Sequence, residues 1–157
     1  MTETRDLTID VSSDRDITMT RSFDAPRDLV FAAHTQAEHL RHWWGRGNPL
    51  DVEIDFREGG RYRFVEHAPD GNEYAFRGEF QEIVAPERIV QTFEFEGMPG
   101  QVAVETLVFT EQDGRTVLTG TTRFDTTEQR DGMAGSGMAQ GVAESYAALE
   151  RHLSTMR

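Results

Sequence analysis

Polar and apolar positions alternate through "DITMTRSF", residues 16 to 23, with Ile17 and Met19 apolar and then a shift to Phe23. Alternation at period two marks a half-buried strand, so this stretch predicts the first strand. The spacing then becomes helical. Leu29, Val30 and Ala33 in "DAPRDLVFAAHT" give one inward face. Asp24 is placed to cap that helix, and Pro26 suits its first turn, where a missing N–H removes no bond. "QAEHLRHWWG" predicts a second short helix closed by Gly45. From Leu50 onward the texture changes to short segments rich in alternating β-branched and aromatic residues: "LDVEIDF", "GRYRFVEH", "EYAFRGEFQEIV", "RIVQTFEFE", "VAVETLVFTE" and "RTVLTGTTRF". Turn chemistry separates them, as in "EGG", "PDGN", "APE", "GMPG" and "QDG". Consecutive strands joined by tight turns form an antiparallel meander.

The chain closes on helical spacing again, with Met138, Val142, Tyr146, Leu149, Leu153 and Met156 on one stripe and Glu144, Glu150 and Arg151 off it. Ahead of it, "DGMAGSGMAQG" is dense in glycine. The Gly137–Gly141 pair is expected to let the helix approach the sheet closely; a hinge for ligand exchange is the second reading. A sheet with one apolar face must cover that face, and only the last helix is long enough. The expected fold is α+β: a curved antiparallel sheet of about seven strands wrapped around a long C-terminal helix, with two short helices between strands 1 and 2. Residues 1–14 are polar and are expected to be loose; residues 15–157 form a single domain. A curved sheet gripping one helix tends to leave a cavity between them.

Charge and composition narrow the partners. Asp and Glu outnumber Arg 28 to 16, a formal net charge of −12, and Lys is absent. A field of that sign repels phosphate backbones and anionic lipid surfaces, so neither nucleic acid nor membrane is an expected partner. With no Cys, the chain has no disulfide, thiolate ligand or Cys nucleophile. No run is apolar enough to span a membrane, and "MTETRDLTID" does not read as a secretion signal, so a cytoplasmic location is expected. No nucleophile elbow, P-loop or dinucleotide fingerprint is present, so no catalytic residue and no cofactor is assigned. Monomer and homodimer both stay open, since an exposed meander edge can pair with a copy of itself.

The candidate pocket residues follow from parity. Tyr62 and Phe64 share a strand face, as do Tyr74 and Phe76, and Phe93 and Phe95. Each is first of all a core residue. Together they suit a flat-walled apolar pocket, with Met138, Val142 and Tyr146 opposite them on the helix stripe. Arg63, Arg77 and Glu79 are out of phase and belong outside. Trp43 and Trp44, adjacent and about 100° apart on a helix end, cannot face the same way. One is expected to anchor the core and the other to cap the pocket mouth; which does which is open. His34 is the polar group expected in the pocket lining. His39 and His42, three apart, share a helical face, and Glu38 lies near; surface pairs of this kind are common and no metal site is assigned.

"FDAP", "LVFAA", "EHLRHWWG", "FREGGRYRF", "DGNEYAFRGEFQEIVAPERIVQTF" and "GMAQGVAESYAALERHL" occur in an order that resembles the SRPBCC (START-like) superfamily, in the branch of the activator of the ninety-kilodalton heat-shock chaperone ATPase, over residues 16 to 154. The resemblance implies a helix-grip fold with a hydrophobic pocket and leaves function open. His34 stands where members often carry an aromatic residue; Gln36–Ala37 replaces a usual Asp-Pro, and Arg46 a usual Pro. Three functions are expected in order: binding of a small hydrophobic or aromatic ligand; an aromatase/cyclase-type enzyme acting on a polyketide-like substrate, which needs at least two polar groups converging inside the pocket, with His34 and Tyr62 or Tyr146 as the pair to check; and a co-chaperone-like interaction module.

Overall fold

A computed structural model describes residues 7–156. The elements are β1 (Leu7–Asp10), β2 (Asp16–Phe23), α1 (Arg27–Thr35), α2 (Ala37–Leu40), β3 (Leu50–Ile54), β4 (Arg61–His67), β5 (Glu73–Val84), β6 (Arg88–Phe95), β7 (Ala103–Gln112), β8 (Arg115–Arg123), α3 (Thr127–Ala134) and α4 (Met138–Leu153). All strands join one open antiparallel sheet in the order β1-β2-β8-β7-β6-β5-β4-β3. The meander from β3 to β8 is laid down strand by strand. β2 then pairs with β8 along its full length, from Asp16 opposite Arg123 to Phe23 opposite Thr116. The fold is the α+β helix-grip architecture, with α4 as the gripped helix.

The sheet has eight strands rather than about seven. The additional one is β1, in the segment expected to be loose; residues 1–6 of that segment lie outside the described residues. Leu7 and Ile9 are its apolar positions, and its pairing with β2 runs from Leu7 opposite Arg21 to Asp10 opposite Thr18. Arg130 fastens the turn that follows, its Nη1 donating to the carbonyls of Val11 (2.8 Å), Ser13 and Asp16. The shift of phase expected in β2 is absent. Ile17, Met19, Arg21 and Phe23 form one buried row, and the Arg21 guanidinium simply occupies an inward position, 4.6 Å above the Phe23 ring.

Helix limits also differ. Pro26 is itself the N-cap of α1, with no side-chain cap bond, so Asp24 does not cap it; the Asp24 N–H donates to Glu150 instead. The second helix is one turn, α2, and residues 41–47 continue as successive turns past Gly45. α3 was not expected. Thr126 caps it by accepting from the Gln129 N–H at 3.1 Å. The Gly137–Gly141 pair does not ease close packing on the sheet. A Cβ at Gly137 would meet nothing within 4 Å, and one at Gly141 would meet only the Arg46 side chain at 3.8 Å. Gly137 serves the backbone: at φ 85° it is the left-handed N-cap of α4, a conformation in which a Cβ is strained.

The core gathers where α1 and α4 meet the sheet. Phe23, Val30, Ala33, Leu40, Leu149 and Leu153 are essentially sealed, and the Phe23 and Tyr146 rings meet edge to face at 5.4 Å. Tyr62 faces Gly78 across the β4–β5 ladder. Its ring lies where a Cβ at Gly78 would come within 2.5 Å, and its hydroxyl donates to the Thr92 carbonyl at 2.7 Å. Glycine here is a requirement of close approach.

Candidate functional site

Between the inner sheet face and α4 the interior is left unfilled. The cavity measures about 500 Å³. That is within the range of small-molecule sites, roughly 300 to 1,000 Å³. Its walls are strand side chains. Tyr62 and Phe64 come from β4, Tyr74, Phe76 and Phe80 from β5, and Phe93 and Phe95 from β6. Phe76 stacks on Phe93 at 5.7 Å and on Phe95 at 5.2 Å. Met138, Val142 and Tyr146 of α4 form the opposite wall, joined by Met133 of α3. The aromatic pairs share a face as parity requires. Arg63, Arg77 and Glu79 lie outside, where Arg63 pairs with Glu96 and Arg77 with Glu94.

The two tryptophans take different stations, and both border the cavity. Trp43 is buried, its indole N–H donating to the Ala33 carbonyl at 2.9 Å and its ring stacking on Tyr146 at 5.8 Å. Trp44 is half-buried and meets Phe64 and Phe76 edge-on at 5.0 and 4.9 Å. Trp43 is thus the anchor and Trp44 the wall near the mouth. At that mouth Arg46 donates through Nε and Nη2 to Glu66 (2.9 and 2.6 Å), and Asn48 adds a third donor to the same carboxylate oxygen. The Arg46 N–H reaches Ser145 of α4 at 2.8 Å, tying the loop after α2 to the gripped helix.

His34 lines the cavity between Trp43 (4.8 Å) and Phe109 (5.1 Å). Its Nδ1 pairs with the Val30 carbonyl at 2.8 Å and must therefore carry the proton, leaving Nε2 as a buried acceptor without a partner. Burial pulls its pKa down to about 4, so the ring is neutral at pH 7. His34 stands beside Tyr146, ring centroids 6.5 Å apart, with no hydrogen bond between them. The Tyr62 hydroxyl is taken by Thr92. His34, Tyr62 and Tyr146 thus share one cavity, with the histidine bonded to neither tyrosine hydroxyl.

One polar group in the lining was missed from the sequence. Glu105 of β7 lines the cavity, directly opposite Gln91 of β6 on one side and Thr122 of β8 on the other. Its Oε1 accepts from Gln91 Nε2 at 2.8 Å, and Thr122 also bonds the carboxyl. Desolvation raises its pKa above the usual carboxylate value. Parity carries the signal: Glu105 is in phase with buried Ala103, Leu107 and Phe109, as Gln91 is with Ile89.

His39 and His42 lie away from the cavity lining and gather instead around His152 of α4. His39 Nδ1 is 2.9 Å from His152 Nε2, and the His42 ring stacks on His152 at 4.4 Å. Among the described residues no group of three or more ligating side chains is arranged to hold a metal ion. No helix among them is long and apolar enough to cross a membrane.

A helix-grip domain with an apolar chamber between sheet and helix defines the class. Residues 24–154 match the family model described as activator of Hsp90 ATPase homolog 1-like protein, and the chain belongs to that family. Solved structures share the fold. A crystal structure of a Rhodobacter sphaeroides protein superposes with a TM-score of 0.87 at 25% identity, covering 96% of this chain and 99% of that one. A solution structure of an Arthrobacter aurescens protein gives 0.84 at 25% identity, covering 94% and 91%. A crystal structure of a Mycobacterium smegmatis protein gives 0.82 at 24% identity, covering 97% and 98%. No curated protein matches the chain in sequence. Family and fold support a ligand-binding or co-chaperone-like module.

Proposed function

We propose that the protein binds a small hydrophobic, ring-bearing molecule in the cavity between the sheet and α4. The observation that carries this is the chamber itself: about 500 Å³ left open in the interior and walled by aromatic side chains. Interiors ordinarily pack to crystal-like density, and an unfilled chamber forfeits dispersion contacts that the aromatic walls would otherwise make with a partner. A guest with flat apolar faces restores them. The anchored Trp43 and the stacked Phe76, Phe93 and Phe95 hold the walls in shape, so little ordering is required on binding.

Native mass spectrometry of gently purified protein, read against the denatured mass, tests this. A reproducible extra mass that leaves on denaturation is the expected result, or, for protein purified empty, saturable uptake of the neutral dye Nile red. A clean mass together with no dye uptake would sink the reading. An interaction-module reading draws on the family and on exposed Val104 and Val108 of β7, with Val102 just before it; it ranks below ligand binding because these valines make a narrow row and not a broad patch.

A further inference from the structure

The cavity walls are mostly apolar, so the charged groups among them weigh heavily in what polar end a guest can carry. Arg46 and Glu66 neutralise each other at the mouth. His34 is neutral and presents only an acceptor. That leaves Glu105, whose carboxyl is held by two neutral neighbours, Gln91 and Thr122, in the centre of the sheet. It is paired with no cation among the described residues.

A carboxyl lining an apolar cavity has two favourable conditions. It holds its proton, or it ionises beside a cation. Desolvation disfavours the ionised form of Glu105 in the absence of a guest, while the bonds from Gln91 and Thr122 favour it. The second condition requires a cation from outside, because the one cation among the described lining residues, Arg46, is paired with Glu66. Phe76, Phe93 and Tyr62 line the same wall as Glu105 and offer aromatic surface to the rings of a guest. A carboxylate guest meets the opposite conditions: no free guanidinium or ammonium among the described lining residues to receive it, and a second acid in the same cavity.

Resting on the proposed ligand-binding role of this cavity, we propose that its preferred guest is a ring-bearing amine, seated as an ammonium on the Glu105 carboxylate with its rings against the aromatic wall, and that the cavity selects against aromatic and fatty carboxylates. Glu105 is the specificity-determining residue, and Gln91 and Thr122 position its carboxyl.

Three probes of one shape test it: naphthylethylamine, naphthylethanol and naphthylacetate, titrated by calorimetry near pH 7. Salt of about 0.15 M confines long-range attraction to the acidic surface within a Debye length of roughly 8 Å. The expected result is that the amine binds at least about tenfold tighter than the carboxylate, equivalent to one pKa unit of charge preference or more. In Glu105→Gln that ratio should fall to within about twofold, while the alcohol keeps its affinity. Equal binding of amine and carboxylate by the unaltered protein overturns the charge preference and leaves the cavity as a binding site. A preference that survives in Glu105→Gln overturns the assignment to Glu105. Binding of none of the three overturns the amine proposal, and failure of Nile red to enter as well overturns the binding reading beneath it. The comparison in the unaltered protein stands even if the variant does not fold.

Discussion

Arg21 on β2 and Glu150 on α4 form an ion pair at 2.9 Å that ties the sheet to the gripped helix. Arg21 is 1% exposed, while Glu150 keeps a quarter of its side chain in contact with solvent, at 26%. The same carboxylate also accepts the Asp24 N–H through its other oxygen, and Arg21 lies over Phe23. The pair therefore joins the strand, the approach to α1 and the long helix at one point.

Removing only the acid leaves the buried guanidinium without its counter-charge. Glu150→Ala should destabilise by about 2 to 3 kcal/mol, below the usual figure for a fully buried pair because Glu150 is partly solvated. Replacing both partners, Arg21→Met with Glu150→Leu, should recover most of that loss. Urea unfolding of the single and double variants checks this; a double variant as unstable as the single one would count against the ion-pair account.

His34 gives the fold an acid sensitivity of known sign. Its folded pKa is depressed to about 4 from 6.5. The neutral ring is thus favoured by folding, and its contribution is complete above pH 6.5 and is lost as pH falls toward 4. The loss amounts to up to about 3 kcal/mol. His34→Phe removes both the titration and the unpartnered Nε2. Its stability relative to the parent should rise steadily from pH 7 down to pH 4, as read by chemical unfolding at several pH values. A constant difference across that range would contradict the assignment.

Glycines at two places should respond oppositely to alanine. At Gly78 the added Cβ falls 2.0 Å from the Thr92 carbonyl and 2.5 Å from the Tyr62 ring, so Gly78→Ala must displace the ring or part β5 from β6. A loss of about 2 kcal/mol or more is expected, with the Tyr62 hydroxyl bond broken. At Gly132, within α3, nothing lies within 4 Å. Gly132→Ala should stabilise by about 0.5 to 1 kcal/mol through helix propensity alone. Thermal unfolding of the two variants separates these effects.

Trp43 and Trp44 provide an optical readout of the cavity. With Trp43 buried and Trp44 half-buried, Trp44→Phe should leave blue-shifted emission and Trp43→Phe redder emission. Trp43→Ala should cost about 3 to 5 kcal/mol, since a large anchor leaves a void and strands the Ala33 carbonyl. Because both rings border the cavity, a bound guest should alter the emission of each single-tryptophan variant. Emission unchanged in both on saturation with a tight ligand would place that ligand elsewhere.

Strand parity made much of this legible. The alternation in β4, β5 and β6 identified the inward aromatic rows and placed Arg63, Arg77 and Glu79 outside. Three things escaped for physical reasons. β1 is four residues long with two apolar positions, too short for a period to register. α3 is mostly polar, and its clearest mark is the Thr126–Gln129 cap. Arg21, Gln91 and Glu105 are polar residues in inward rows, so a reading that assigns polarity to the outer face misplaces them; their neighbours two residues away fix their direction. Which tryptophan anchors the core depends on the turns after α2, where no regular period applies.

The register of the sheet separates scaffold from lining. Strand pairing is a matter of backbone amides and carbonyls, whereas the chamber is shaped by side chains that hang from them. Exchanging a wall residue, such as Phe93 or Phe95, reshapes the chamber and leaves the ladder between β6 and β7 intact. Such a protein can diverge widely in what it holds while its architecture stays fixed, which is how relatives sharing about a quarter of their residues superpose so closely. Glu105 is set in the middle of the sheet between two paired strands, so a single base change in the gene that exchanges it for glutamine alters the charge of the chamber without moving a strand.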